Sequence, residues 1–269
     1  MTQSLMDHVI APGALTTVFQ PIFDIASEPP RIAGFECLTR GPKGTTLETP
    51  DVLFAYARRR HEEAIVDRAA IATALEAALF VPDDIRLHFN VHASTLGRDS
   101  HFPRFLESSS RRAGVPLAGL TIEVLEHSDF IDESVYLETL EELRRMGVEI
   151  ALDDLGVGRT NFRLILLTKP TVIKVDRYLV QRVDEDPYRQ VLLSSLLSLA
   201  DRLGMRLVAE GVEREEELAL LRGVGFQQAQ GFLLGRPAPL ASWLGDDMHP
   251  WLAHLPPQSA LAPSLAAGG

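Results

Sequence analysis

Leu120-Thr121-Ile122-Glu123-Val124, then residues 132–146, then Gly147, then Glu149-Ile150-Ala151-Leu152-Asp153: this stretch reads as a strand, a helix, a stop and a second strand. Gly147 stands where a helix commonly ends on a left-handed residue. Two strands joined through a helix run parallel, with a right-handed crossover.

The same unit recurs outward. Downstream, a short helix over 160–167 leads to a strand at 172–175. A helix over 188–203, closed by Gly204, leads to a strand at 206–209. A helix over 215–224, closed by Gly225, leads to a last short strand at 228–231. Upstream lie a strand at 86–90 and a helix at 102–113. Before them come two helices, one starting at Thr49-Pro50-Asp51 as cap and first turn, the other spanning 64–80. The first two strands, 16–25 and 31–38, are separated by only a few residues including Glu28-Pro29-Pro30. That gap is too short for a helical crossover, so these strands form an antiparallel hairpin.

About eight strands in roughly 225 residues suit an α/β fold of the triosephosphate-isomerase (TIM) type, a (β/α)8 barrel with one antiparallel strand near the N-terminus. An open doubly wound sheet is the alternative, but no glycine-rich phosphate fingerprint follows the first strand. The expected division is a leader over 1–14, the barrel over 15–245, and a Pro/Ala-rich tail over 246–269, which reads as loosely docked or disordered.

Composition narrows the partners. Of 269 residues 46% are hydrophobic, enough for one large core, and the net charge is −11. An acidic chain without a basic face is not expected to grip DNA or RNA polymers. Arg58-Arg59-Arg60 and Arg111-Arg112 read as solvated helix ends. The single cysteine, Cys37, allows neither an internal disulfide nor a cysteine-based zinc site, which fits the cytoplasm. The first 14 residues lack a signal-peptide pattern, and the longest apolar run, 191–200, is broken by Ser194, Ser195 and Ser198, so no membrane insertion is expected.

The strand ends carry the chemistry. The second strand contains Glu36, the third ends at Asn90, the fourth at Glu123 with Glu126 just beyond, and the fifth at Asp153-Asp154. The sixth ends at Lys174-Val175-Asp176, the seventh at Glu210 and the eighth at Gln230. In a barrel these carboxyl ends surround one opening. Clustered carboxylates repel and lose hydration unless cations neutralise them. Carboxylates with an asparagine amide are hard oxygen donors, suited to Mg²⁺, Mn²⁺ or Ca²⁺. They suffice for two metals sharing a carboxylate, an arrangement that hydrolyses phosphodiesters. Lys174 and Asp176, two apart, point the same way, and Lys174 is placed to orient a water or offset charge. His88, His92 and His127 read as ordinary polar residues.

Phe19-Gln20-Pro21-Ile22 followed by Gly34-Phe35-Glu36-Cys37-Leu38-Thr39-Arg40 resembles the opening of the EAL family of cyclic di-GMP phosphodiesterases. Asn90, Glu123-Val124-Leu125-Glu126, Asp153-Asp154-Leu155-Gly156-Val157-Gly158, Lys174-Val175-Asp176, Ala209-Glu210-Gly211-Val212-Glu213 and Gln230-Gly231-Phe232 continue the likeness in order. It runs from residue 16 to 239.

The resemblance implies that Glu36, Asn90, Glu123 and Asp153 bind one Mg²⁺ or Mn²⁺, with Asp153 bridging to a second that Asp154 and Glu210 serve. It implies that Lys174 and Glu210 handle the attacking water, that Gln20 and Arg40 contact the dinucleotide, and that Asp176 and Gln230 are active-site positions. Glu126 would anchor the loop after the fifth strand, a loop that often lies near a dimer interface, so a homodimer is an expected assembly. The product would be linear pGpG, and Ca²⁺ would inhibit. Departures from the pattern are Cys37 for alanine, His92 for serine, and Leu155, Val157 and Arg159 in the loop. The competing reading is an inactive EAL domain that serves as a cyclic di-GMP receptor or a protein-interaction module. A different barrel metalloenzyme is a third.

Overall fold

The computed structural model describes residues 5–125, 132–155 and 162–244, without the side chains of Leu5 and Asp154. Glu126, His127, Val157, Arg159 and the tail 246–269 lie outside the described residues.

Eight strands follow one another in sequence order around a closed barrel. They are β1 (Thr16–Asp24), β2 (Arg31–Arg40), β3 (Arg86–His92), β4 (Leu120–Leu125), β5 (Glu149–Leu155), β6 (Val172–Val175), β7 (Arg206–Ala209) and β8 (Gln228–Ala229). The pairs β3–β4, β5–β6, β6–β7 and β7–β8 are parallel, whereas β1 runs antiparallel to β8. The barrel with its one antiparallel strand is the fold expected from the sequence.

The helices are α1 (Leu5–Val9), α2 (Pro50–Arg60), α3 (Glu63–Ala77), α4 (Ala93–Leu96), α5 (Phe102–Ala113), α6 (Glu133–Arg145), α7 (Phe162–Thr168), α8 (Arg177–Val180), α9 (Pro187–Leu203) and α10 (Glu215–Val224). Local chemistry sets their ends. The Asp132 carboxylate accepts from the amides of Ser134 and Val135 at 3.0 and 3.2 Å and starts α6. Asp186 caps α9 in the same way, with Pro187 in the first turn. Gly204 and Gly225 close α9 and α10 at φ +66° and +107°. Thr49 has the extended backbone of a cap, but its side chain makes no capping bond, so Pro50 alone marks the start of α2.

The chain divides into two compact units. One comprises Met1–Phe19, Glu36–Ile150 and Pro237–Leu244; the other includes Gln20–Phe35 and Ala151–Arg236. In the first, Met6 and Val9 of α1 are buried in a cluster with Leu15, Leu47, Leu53, Ala57 and Val66. Residues read as a leader therefore contribute to the core, and burial of each large aliphatic side chain stabilises by about 1.5–3 kcal/mol.

In the second unit, Ile22, Ala151, Val172 and Val208 form a buried apolar cluster. Side chains alternate along a strand. Two residues further on, the same faces of β5, β6 and the β7 end carry Asp153, Lys174 and Glu210. Dry aliphatic packing thus lies one layer from a charged layer. Beyond β8 the chain stays pressed against the segment that follows β7: the Val212 amide donates to Gln230 O at 3.1 Å. A Cβ on Gly231 would stand 2.1 Å from Val212 O, so only glycine fits there.

Candidate active site

In the first unit, register brings the oxygen donors together. Asn90 of β3 lies opposite Glu123 of β4, and His88 lies opposite Thr121. Asn90 Nδ2 donates to Glu36 Oε1 at 2.8 Å. A carboxylate only accepts, so this bond fixes which way the amide faces. The opposite atom, Asn90 Oδ1, is buried and makes no hydrogen bond. A buried acceptor left in this state costs about 1–3 kcal/mol. Glu36 is 7% exposed and Glu123 is fully buried.

Of the three histidines expected to be ordinary polar residues, His88 and His92 are buried and paired with carboxylates, and His127 lies outside the described residues. His88 Nδ1 lies 2.8 Å from Glu123 Oε1, and both side chains are buried. His92 Nδ1 lies 2.9 Å from Asp67 Oδ1 of α3, while the His92 amide donates to Asp67 Oδ2 at 3.0 Å. Thr95 Oγ1 donates to the same carboxylate at 2.6 Å, and Arg58 Nη1 sits 3.3 Å from His92 Nε2. His92 thereby ties the end of β3 to α2 and α3, just past Asn90.

In the second unit Lys174 is the centre. Its side chain is 1% exposed, with Nζ 2.8 Å from Glu210 Oε1 and 3.6 Å from Asp153 Oδ1. A buried ammonium stays charged only beside such partners. Gln20, also buried, donates through Nε2 to Gly235 O at 3.1 Å. Asp176 caps α8 by accepting from the Tyr178 amide at 2.7 Å, a structural duty alongside its predicted substrate role. Gln230 is 4% exposed, and its backbone N–H donates to Ala209 O at 2.8 Å.

The EAL domain family matches residues 3–237. This chain belongs to that family. It is 28% identical over 247 residues to a probable cyclic di-GMP phosphodiesterase, PdeD, of Escherichia coli strain K12, covering 90% of this chain and 44% of PdeD. It is 34% identical over 155 residues to the cyclic di-GMP phosphodiesterase RocR of Pseudomonas aeruginosa, covering 58% of this chain and 39% of RocR. The chain therefore spans less than half the length of either. Among solved structures, BlrP1 of Klebsiella pneumoniae in a calcium and cyclic di-GMP complex matches with a TM-score of 0.72 and 28% identity, over 88% of this chain and 58% of that one. A manganese and cyclic di-GMP complex of BlrP1 matches with a TM-score of 0.74 and 30% identity, over 84% of this chain and 57% of that one.

Among the described residues of this EAL domain, no three His, Cys, Asp or Glu side chains are grouped to hold a metal ion. The described carboxylates of the expected donor set, Glu36, Glu123 and Asp153, are therefore not grouped in this way, and the expected set extends beyond them. It includes the amide of Asn90, and it includes Asp154, whose side chain is outside the described residues. The donors that are described fit a hard divalent cation: an amide oxygen without a partner, beside Glu36 and on the strand register of Glu123.

Two residues of β2 behave as their burial dictates. Arg40 of β2 is half-buried, which lowers its guanidinium pKa, and Nη1 donates to Thr39 O at 3.0 Å. It remains a cation and can pair with phosphate. The Cys37 thiol is raised well above its ordinary pKa, first by burial and then by the charges of Glu36 and Glu123. Thiolate is the reactive form. Alkylation of native protein at pH 8 should therefore be far slower than in denaturant, as read by mass spectrometry; equal rates would contradict the buried thiol.

Proposed function

We propose that this EAL domain hydrolyses cyclic di-GMP to linear pGpG in the presence of Mg²⁺ or Mn²⁺. The observation that carries the reading is the geometry of Lys174, a buried ammonium held at 2.8 Å by Glu210 with Asp153 at 3.6 Å. A lysine positioned this firmly can hold a water molecule and offset developing negative charge. The relatives named as phosphodiesterases and the BlrP1 complexes with cyclic di-GMP and calcium or manganese support the same reading.

Glu36, Asn90, Glu123 and Asp153 would hold one cation, and Asp153 with Asp154 a second. Bound divalent cations supply charge neutralisation at the phosphate and acidify a water. Glu210 and Lys174 orient that water toward phosphorus. Arg40 pairs with a phosphate oxygen, and Gln20, Asp176 and Gln230 contact the nucleotide. Attack forms one P–O bond as an ester P–O bond breaks, and the ring opens to the linear dinucleotide. Glu126 as loop anchor, a homodimer, a cytoplasmic setting and the boundaries 15–245 belong to the same proposal. No helix among the described residues is long and apolar enough to cross a membrane.

Purified protein incubated with cyclic di-GMP and Mg²⁺ or Mn²⁺ should give pGpG, identified by chromatography and mass. Intact substrate with binding demonstrated would replace the enzyme by a receptor. Ca²⁺ in place of Mg²⁺ should bind yet sustain little turnover, because its looser coordination positions and acidifies water poorly. Turnover with Ca²⁺ equal to that with Mg²⁺ would contradict the two-metal assignment.

A further inference from the structure

We propose that His88 is a positioning residue that holds Glu123 in the orientation needed to bind metal. The inference rests on the metal-dependent reading above and adds a role for a residue outside the expected donor set. His88 precedes Asn90 by two residues on β3, so both project from the same face of that strand. Its direct neighbour across the parallel pair is Thr121, but its ring reaches diagonally to Glu123. Nδ1 lies 2.8 Å from Glu123 Oε1, the His88 side chain is 5% exposed, and Glu123 has no exposed surface.

The chemistry follows from this geometry. A metal ligand must be a deprotonated carboxylate, and a carboxylate only accepts hydrogen bonds. Nδ1 therefore carries the hydrogen and donates. That bond holds Glu123 Oε1 and with it the orientation of the carboxylate. On the adjacent strand Asn90 is oriented in a comparable way: Nδ2 is engaged by Glu36, while Oδ1 is without a hydrogen bond. Two expected donors opposite each other in register are thus each oriented by a hydrogen bond. Partners of this kind around ligating groups typically change metal affinity by about 10- to 100-fold.

The test compares Mn²⁺ binding, by electron paramagnetic resonance, in wild type, His88→Leu and His88→Asn. Leucine removes the donor at similar volume; asparagine restores an N–H close to the Nδ1 position. His88→Leu should bind Mn²⁺ about 10- to 100-fold more weakly, and His88→Asn should recover most of the loss. Wild-type affinity in His88→Leu, or equal loss in both variants, overturns the inference. If His88→Leu does not fold, nitrogen-15 resonances of the wild type decide. The His88 Nδ1–H signal should be protected from exchange and should shift on Mg²⁺ titration with the binding constant of the metal. A signal unmoved at saturation overturns the proposal. If wild type itself binds neither Mn²⁺ nor Mg²⁺, the metal-dependent function falls, and the role of His88 with it. Binding by wild type with no effect of His88 removes only this inference.

Discussion

Glu36→Ala should abolish turnover of cyclic di-GMP. Glu36 is the first expected metal ligand on the chain, and its carboxylate also accepts from Asn90 Nδ2 at 2.8 Å. Removing it takes away one charge from the donor set and releases the amide that would donate oxygen through Oδ1. A bound cation contributes several kcal/mol of charge stabilisation. Losing about 4 kcal/mol corresponds to roughly a thousandfold in rate. Glu36→Gln separates chemistry from folding, since its amide oxygen can still accept from Asn90 while the charge is gone. Both variants should show wild-type circular dichroism and at least about a thousandfold less pGpG. Full activity in Glu36→Gln would mean that the metal is held elsewhere. Cys37→Ala, the next residue, should retain activity.

Lys174→Met should cost both activity and stability. Nζ lies between Glu210 and Asp153, and the side chain is 1% exposed. Breaking a buried ion pair on one side costs about 3–5 kcal/mol, because the remaining charges stay buried. The two carboxylates are 17% and 14% exposed, so partial hydration favours the lower end. About 3 kcal/mol lowers the melting temperature of a domain of this size by roughly 6–12 °C. In chelator, where no metal can offset the carboxylates, calorimetry should show that drop. Loss of a group that positions water lowers turnover by about 10²- to 10⁴-fold. A variant that melts and turns over like wild type would remove Lys174 from the mechanism.

Much of this arrangement was legible in the sequence because it depends on local rules. Gly147, Gly204 and Gly225 mark helix ends, since each takes a positive φ that favours glycine. Strand ends are marked by the passage from aliphatic to polar residues, so Asn90, Glu123 and Asp153 lie on β3, β4 and β5 as expected, although each strand runs on past them, to His92, Leu125 and Leu155. What was not legible depends on partners distant along the chain. His88 and Glu123 are 35 residues apart, as shown by their bond, and nothing local to His88 announces that contact. His92 is the same case, with Asp67 25 residues away. Helix α1 has only 5 residues, too few for a period, and its burial depends on Leu47, Leu53 and Val66 far downstream. Asp176 was read for the site alone, whereas a strand end next to a helix start also makes it a cap.

The antiparallel first strand inverts a convenient rule. On parallel strands the chemistry lies at the carboxyl ends, but β1 runs against β8, with Asp24 level with Gln228 and Phe23 with Ala229. Gln20, at the middle of β1, is the residue drawn toward the chain beyond β8, where it donates to Gly235 O. At about 3.3 Å per residue, Asp24 is roughly 13 Å away from it along the strand. The turn after Asp24 is tied instead to the start of β8, through the Ile25 amide on Gln227 O at 2.9 Å. That turn is therefore the place for a fluorophore or an affinity handle: a probe attached there is anchored to the framework at the end of β1 away from Gln20.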